Sequence, residues 1–535
     1  MKKMRRMIVF GLVLLITGSV YGQIREVTGV VTSNLDSQPL EDVAVRVKGS
    51  LLSVKTDAQG RYTLGVPENS SLTLTFIHPE HDPYEEFLGG RSELNVEMVH
   101  SIRFNQYGKV VDRNPLIVEE REGYLIMESI DQDYKLWLDL RVQTDGAVFF
   151  GDVYNPIANG VEIRRARMAF KAELPGNFEA EIDMDFGDGL ADLKDAFLLY
   201  SATPRLDIKV GHYKERFSME QNTSSRYLTF MERPTAHRTI APSRHIGLQF
   251  HYYRPYVIAV GGIHFQPAGD AEEVQNRKDN YAAGNNEGYS FTGKVTGLPF
   301  YFQKDRGLHL AVSGSYRTPK THDDIDNVRF DARSNININR KKYIDTDRIN
   351  RVSNYQLANF EFAGYYNNFK FATEYIMARV NRYERLVDGE QTGTLPSENF
   401  SGFYVMSSMM LFGGQMVYNY YQGEFTMPDR GRSWGDIELG IRYDFSDFNS
   451  RPDGVMAGQG EGLTIGLSYY TPKNVKLMIN YGYLNFDRYA NQRGRLFIGA
   501  DANGNLTRDP LLAIEPTGKG GENFHFLGFR AQVSF

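Results

Sequence analysis

The 535-residue chain carries 60 Lys and Arg against 66 Asp and Glu, a net charge of −6, and no cysteine. That balance argues against non-specific nucleic-acid binding, and the missing cysteine excludes disulfides and thiolate chemistry. A mean hydropathy of −0.42, with no apolar run near the ~20 residues of a membrane helix, excludes helical spans; a barrel wall, diluted by alternation, escapes that test.

In chain order, residues 1–22 read as a secretory signal peptide. Lys2, Lys3, Arg5 and Arg6 precede a short apolar run from Ile8 to Ile16, and Val20 and Gly22 suit a cut before Gln23. Its removal would leave 513 residues of net charge −10. No cysteine follows the cut, so no lipid anchor is expected. The 34 Phe and 33 Tyr against 2 Trp suit strands and membrane-interface girdles.

Residues 23–98 read as a small β-sandwich of short strands: Val27–Thr32, Val43–Val47 and Leu72–Phe76, with turn residues between them. On Gly29, the Thr56–Gly60 turn and Tyr62, this stretch resembles the carboxypeptidase regulatory-like domain. The resemblance implies an accessory module and not a peptidase, since no zinc-ligand motif accompanies it. Residues 99–132 read as a linker with a short helical or irregular piece.

From residue 133 to 535 the period changes to two. Leu136, Leu138, Leu140 and Val142 alternate with polar residues apart from Trp137; so do Phe178, Ala180, Ile182 and Met184, and Phe369, Phe371, Tyr375 and Met377 with theirs. Short turns at Pro175-Gly176, Asn367-Asn368 and Thr471–Asn474 alternate with long polar loops at 266–288, 317–352, 382–399 and 486–522. The last strand ends on Phe535, with Val533, Phe529 and Leu527 on its face. Together these features predict an all-β fold: a transmembrane antiparallel barrel of an even number of strands, about 14–18 for its length, behind the small sandwich. Asp501, Asn503 and Asn505 mimic a calcium loop, but Leu506 stands where glycine is required, so a turn is expected.

Parity says which charges face the lumen. In Val161–Leu174 the inward set is Arg165, Arg167, Lys171 and Glu173; Arg164 has outward parity and is expected at the strand's end, near headgroups or in a loop. The next strand turns Glu179, Glu181, Asp183 and Asp185 inward. A three-residue loop at 174–176 would set Lys171 opposite Glu179 and Arg167 opposite Asp183, a charge ladder. Lys209 also points inward. The stretch Arg205–Arg254 holds nine Lys or Arg against four acids, and its middle, His212–Arg233, lacks alternation. Such a segment is an outer loop or folds into the pore, since irregular backbone at membrane depth must line a water-filled cavity.

Glu162–Phe170, Leu193–Phe197, Lys209–Ser218, Thr223–Arg233 and Tyr470–Tyr481 together resemble the phosphate-selective porin O/P family. The resemblance covers about residues 134–535. It implies a 16-stranded, trimeric channel with an inward-folded constriction lined by Arg and Lys. Carried over by motif, the family's Arg pair falls on Arg164 and Arg165, and a basic residue of the Thr-Ser-Ser motif on Arg226. The candidate anion-binding residues are Arg164, Arg165, Arg167, Lys209, Arg226 and Arg233.

The expected function is a passive outer-membrane porin for small anions, phosphate favoured, working as a homotrimer in outer-membrane lipid. No enzyme activity, cofactor, metal or nucleic-acid partner is expected. The acidic row from Glu179 to Asp185 keeps a general, weakly selective porin open as an alternative. A barrel-anchored surface protein that binds a partner is another. A TonB-dependent transporter is disfavoured, because residues 99–133 leave no room for a plug and the barrel is too short for 22 strands.

Overall fold

The computed structural model describes residues 24–535 apart from 68–71, 102, 112–115, 122, 131, 152–153, 188, 270–273, 275–277, 279–280, 282–285, 302, 323–324, 388 and 515–519; the expected signal peptide lies outside the described residues. Two units separate: residues up to 119 with 127–135, and residues 120–126 with 136–535.

In the front unit, Arg61–Pro67 exposes every second residue and buries Tyr62, Leu64 and Val66. That strand pairs with Ile24–Ser33, which in turn pairs with Val96–Met98. A second sheet of four strands orders Ser53–Lys55, Ala44–Val47, Thr73–Ile77 and Tyr84–Phe87. Val27, Val31 and Tyr62 from the first sheet share one core with Val45, Leu74 and Phe76 from the second. Gly29 is required there. A Cβ would meet the Leu94 carbonyl oxygen at 1.9 Å, and the same oxygen accepts the Tyr62 hydroxyl at 2.8 Å. Beyond this core, residues 99–132 hold the strand pair Arg103–Phe104 with Val110–Val111, and strands Leu116–Arg121 and Tyr124–Ser129. No described residue there is helical. Runs such as Leu116-Ile-Val favour extended backbone.

The second unit is a closed barrel of 16 antiparallel strands. The first eight are β1 Lys135–Phe150, β2 Gly160–Leu174, β3 Phe178–Asp185, β4 Asp192–Thr203, β5 Leu206–Lys214, β6 Arg244–Arg254, β7 Val257–His264 and β8 Ser290–Gly297. The rest are β9 Arg306–Arg317, β10 Val352–Tyr366, β11 Phe369–Arg382, β12 Leu395–Met410, β13 Asp436–Asn449, β14 Met456–Tyr470, β15 Val475–Phe486 and β16 Asn523–Ser534. Closure runs from Arg141 opposite Ser534 to Phe150 opposite His525. The terminal Phe535 N–H donates to the Leu140 carbonyl at 2.9 Å.

The two faces separate as the alternation requires. Phe360, Phe362, Met377, Ile465, Leu467, Ile479 and Phe529 are exposed on the outside, while Glu361, Glu374, Ser468, Asn480 and Arg530 are buried inside. Only lipid makes such an apolar belt favourable. Connections 175–177, 204–205, 255–256, 298–305, 367–368 and 471–474 lie at one end, and long ones such as 215–243, 318–351 and 487–522 at the other. One connection breaks the expected asymmetry: residues 411–435, between β12 and β13, form a long segment at the short-turn end.

The β2–β3 turn also departs from expectation. It occupies 175–177, with Gly176 at φ 80° and Asn177 at φ 65°, so Leu174 pairs with Phe178. Lys171 therefore faces Glu181, and Arg167 faces Asp185, two residues on from the predicted partners. The turn needs left-handed backbone at Gly176 and Asn177, which starts it one residue later; an even shift leaves every side chain on its predicted face.

Candidate functional site

Residues 215–243 leave β5 and cross the lumen. They contain two short helices, α1 Met219–Asn222, whose N-cap Ser218 accepts the Gln221 N–H, and α2 Thr235–Ile240. Their irregular backbone finds partners on the walls, as membrane depth demands. The Met219 N–H donates to Glu361 of β10 at 3.1 Å, the Glu220 N–H to Glu374 of β11 at 2.7 Å, and the Met231 N–H to Asn480 of β15 at 2.8 Å. In return, Arg442 donates to the Glu232 carbonyl at 2.8 Å, Lys476 to that of Leu228 at 2.7 Å, and Arg530 to that of Met231 at 2.7 Å. Glu232 is the hub: Arg164 (2.6 Å), Arg530 (3.3 Å) and Arg238 (3.6 Å) converge on its carboxylate.

Two further segments narrow the bore. From the long-loop end, Asn335 donates to Asp444 at 2.7 Å and Ile336 packs with Met231, so part of 318–351 lies over the crossing loop. From the other end, 411–435 enters: Tyr418 and Phe425 are buried among wall residues, Tyr421 hydrogen-bonds Asp207, and Glu424 lies 3.6 Å from Arg216.

Beside these segments lies a cavity of about 490 Å³ lined by β1–β6, Tyr124, Arg216 and residues 222–227 of the crossing loop, and residues 419–426. Eight Lys or Arg and seven Asp or Glu line it, so the wall is nearly balanced in charge. Most of these charges are paired. Arg226 holds Asp139, Lys171 reaches Asp139 at 3.0 Å and Glu181 at 3.9 Å, Arg167 reaches Asp183 at 3.4 Å, and Arg244 reaches Asp195 at 2.6 Å. Three cations have no carboxylate in ion-pair range among the described residues. Arg141 donates to the Ser225 hydroxyl at 2.6 Å; Lys214 donates to the carbonyls of Gln221 and Asn222 at 3.0 and 3.1 Å; Lys209 lies over the Phe197 ring at 3.9 Å.

The predicted residues fall into two groups. Lys209, Arg226 and Arg167 line the cavity. Arg164, Arg165 and Arg233 do not. Arg165 is buried and donates to Gln143 at 2.7 Å, and Arg233 donates to the Glu220 carbonyl at 2.7 Å, tying the loop to itself. Arg164 corrects the parity argument. Val161 and Ile163 are exposed, as is Phe170, so the phase of β2 slips between Arg164 and Arg165 and both turn inward. The pull of Glu232 on Arg164 accounts for the slip. Missed altogether were Arg141 and Lys214. Arg141 sits on the polar face of an alternating strand, so the signal was present; Lys214 ends β5 where alternation fails. Asp501 accepts the Asn503 and Asn505 N–H groups at 2.8 and 2.9 Å, the turn that was expected.

Among curated proteins, an uncharacterized protein of Caulobacter vibrioides is 25% identical over 342 residues, covering 63% of this chain and 65% of its own length. Among solved structures, OmpT of Vibrio cholerae (10% identity, 75% of this chain, 98% of its own, TM-score 0.43) is similar. So is the anion-selective porin from Comamonas acidovorans (11% identity, 75% and 100%, TM-score 0.43). The outer membrane channel DcaP of Acinetobacter baumannii gives 11% identity over 76% and 99%, with TM-score 0.43. The profile of the family described as phosphate-selective porin O and P matches residues 137–503, most of the barrel. The chain therefore belongs to the phosphate-selective porin O and P family.

Proposed function

We propose that the barrel is a passive outer-membrane channel for small anions, with phosphate the favoured solute, and that Arg141, Lys209 and Lys214 are its attracting cations. The observation that carries this reading is the contrast within the cavity: five lining bases are neutralised by carboxylates, and these three are left with neutral partners. Three moderate sites along a wet wall suit conduction better than one tight one, because an ion must leave as readily as it enters. Their N–H donors partly replace the water that an anion sheds. In this reading Arg164, Arg165 and Arg233 hold the constriction, while Arg167 and Arg226 shape it through their pairs. A homotrimer, a cleaved residue 1–22 leader and an accessory role for the front sandwich complete the proposal.

The near balance of eight bases and seven acids favours one rival, a weakly selective porin. Planar-bilayer recording in a KCl gradient separates the two. The anion reading expects a reversal potential on the chloride side and block of chloride current by phosphate; a reversal potential near zero supports the rival, and cation preference sinks the proposal. Phosphate block should weaken more in Lys209→Ala than in Arg165→Ala.

A further inference from the structure

The front unit carries a histidine cluster that the channel does not use. His78 and His81, three residues apart beyond the strand Thr73–Ile77, bring their Nδ1 atoms to 2.9 Å. His100 forms a backbone bridge with His81, and its ring stands edge-on to that of His81 with centroids 5.2 Å apart. His81 is 2% exposed, and its Nε2 lies 2.8 Å from the Ser33 hydroxyl, which also accepts the Leu35 N–H at 3.3 Å. The Glu80 N–H lies 3.3 Å from His78 Nδ1. Two ring nitrogens thus face one point, and the far nitrogen of the buried ring is fixed by a hydroxyl. A metal-ligating imidazole needs just such an outer partner to set its orientation.

The distance selects the kind of ion. With metal–nitrogen bonds of ~2.1 Å, a separation of 2.9 Å subtends about 90° at a shared ion, the angle of square-planar or octahedral coordination and well short of tetrahedral. We propose that His78 and His81 bind one divalent transition-metal ion of the copper or nickel class through their Nδ1 atoms, with Ser33 orienting His81 and His100 able to swing in as a third ligand. Binding moves the proton shared between the two Nδ1 atoms from His81 Nδ1 to His81 Nε2, where it is donated to the Ser33 hydroxyl oxygen, so both ligands stay neutral imidazoles.

The test titrates Cu²⁺ into the full chain, untagged and in detergent, with calorimetry and electron paramagnetic resonance. One ion per chain and at least two coupled nitrogens are expected. His78 is only half-buried, so His78→Gln should keep the front core and lower affinity about 100-fold; Ser33→Ala should lower it about tenfold. The proposal is overturned if no stoichiometric Cu²⁺ binds at micromolar concentration. It also fails if His78→Gln, with an unchanged melting curve, binds as the native chain does.

Discussion

The two flanks of the lumen are built from the same residue types at the same inward parity, yet they use them differently. On the flank from β10 to β16, Glu361, Glu374, Glu438, Arg442 and Arg530 are buried, and four of them hold backbone of the crossing loop. On the flank from β1 to β6 the charged side chains line a cavity, and although Asp139, Arg141, Asp183 and Asp207 are themselves mostly buried, none is covered by the loop as closely as those opposite. The difference lies in what sits on them. A charge under a loop is desolvated and is tolerated only with partners; a charge against water can be left without a counter-charge at little cost. The first flank positions the constriction, and the second can act on a passing ion.

The largest effect should come from breaking the covered flank. Arg530 binds Asp145 through two contacts of 2.7 Å, and also Glu232 and the Met231 carbonyl. Arg530→Ala takes the arginine from the buried Asp145 carboxylate and one of three from Glu232, so a loss of about 3–5 kcal/mol is expected, read as a lower thermal midpoint of the detergent-solubilised barrel. An unchanged midpoint would mean that these charges do not hold the loop. Next in size is the open flank. Lys209→Glu, which breaks no hydrogen bond to the crossing loop, should shift the anion-to-cation permeability ratio several-fold toward cations, with little change in thermal midpoint. Equal effects of the two changes on stability would erase the comparison.

This division was only half legible in the sequence. Period-two alternation reported the wall, its lipid face and the inward set, because burial on one side of a strand is a local property of spacing. Lys209 and the acidic row of β3 followed directly. Which inward charges are covered depends on where residues 215–243, 333–343 and 411–435 come to rest, and no periodicity encodes that. The slip at Arg164 was hidden for the same reason: its cause, Glu232, lies 68 residues away. The motif likeness did bring Arg226 to the lumen, but not its partner Asp139.

A smaller change should sharpen the open flank from its acidic side. Glu181→Gln with Asp183→Asn removes two carboxylates that face Lys171 and Arg167. Loss of two negative charges from the wall, with Lys171 still on Asp139 and Arg167 still on Asp185, should raise anion preference about threefold in the reversal potential, most clearly at low salt, where the Debye length exceeds ~10 Å. No change would show that the acidic row is already silent to a permeating ion.

The smallest expected effect belongs to Arg226, which stands where the two flanks meet. Its side chain pairs with Asp139 and donates to the Tyr124 hydroxyl at 2.7 Å, while its carbonyl accepts from Gln532 at 3.3 Å. Arg226→Lys keeps the charge and loses the planar fork, so one of the two side-chain contacts must go. If Arg226 serves the cavity as a point charge, reversal potential and phosphate block should stay as they are, with conductance changed less than about twofold. Arg226→Ala is the discriminating partner: it removes a cation from the cavity, leaves Asp139 to Lys171 alone and should move the reversal potential toward cations. A lysine variant as impaired as the alanine variant would assign Arg226 to the covered flank, as a strut for the loop and not a charge for the ion.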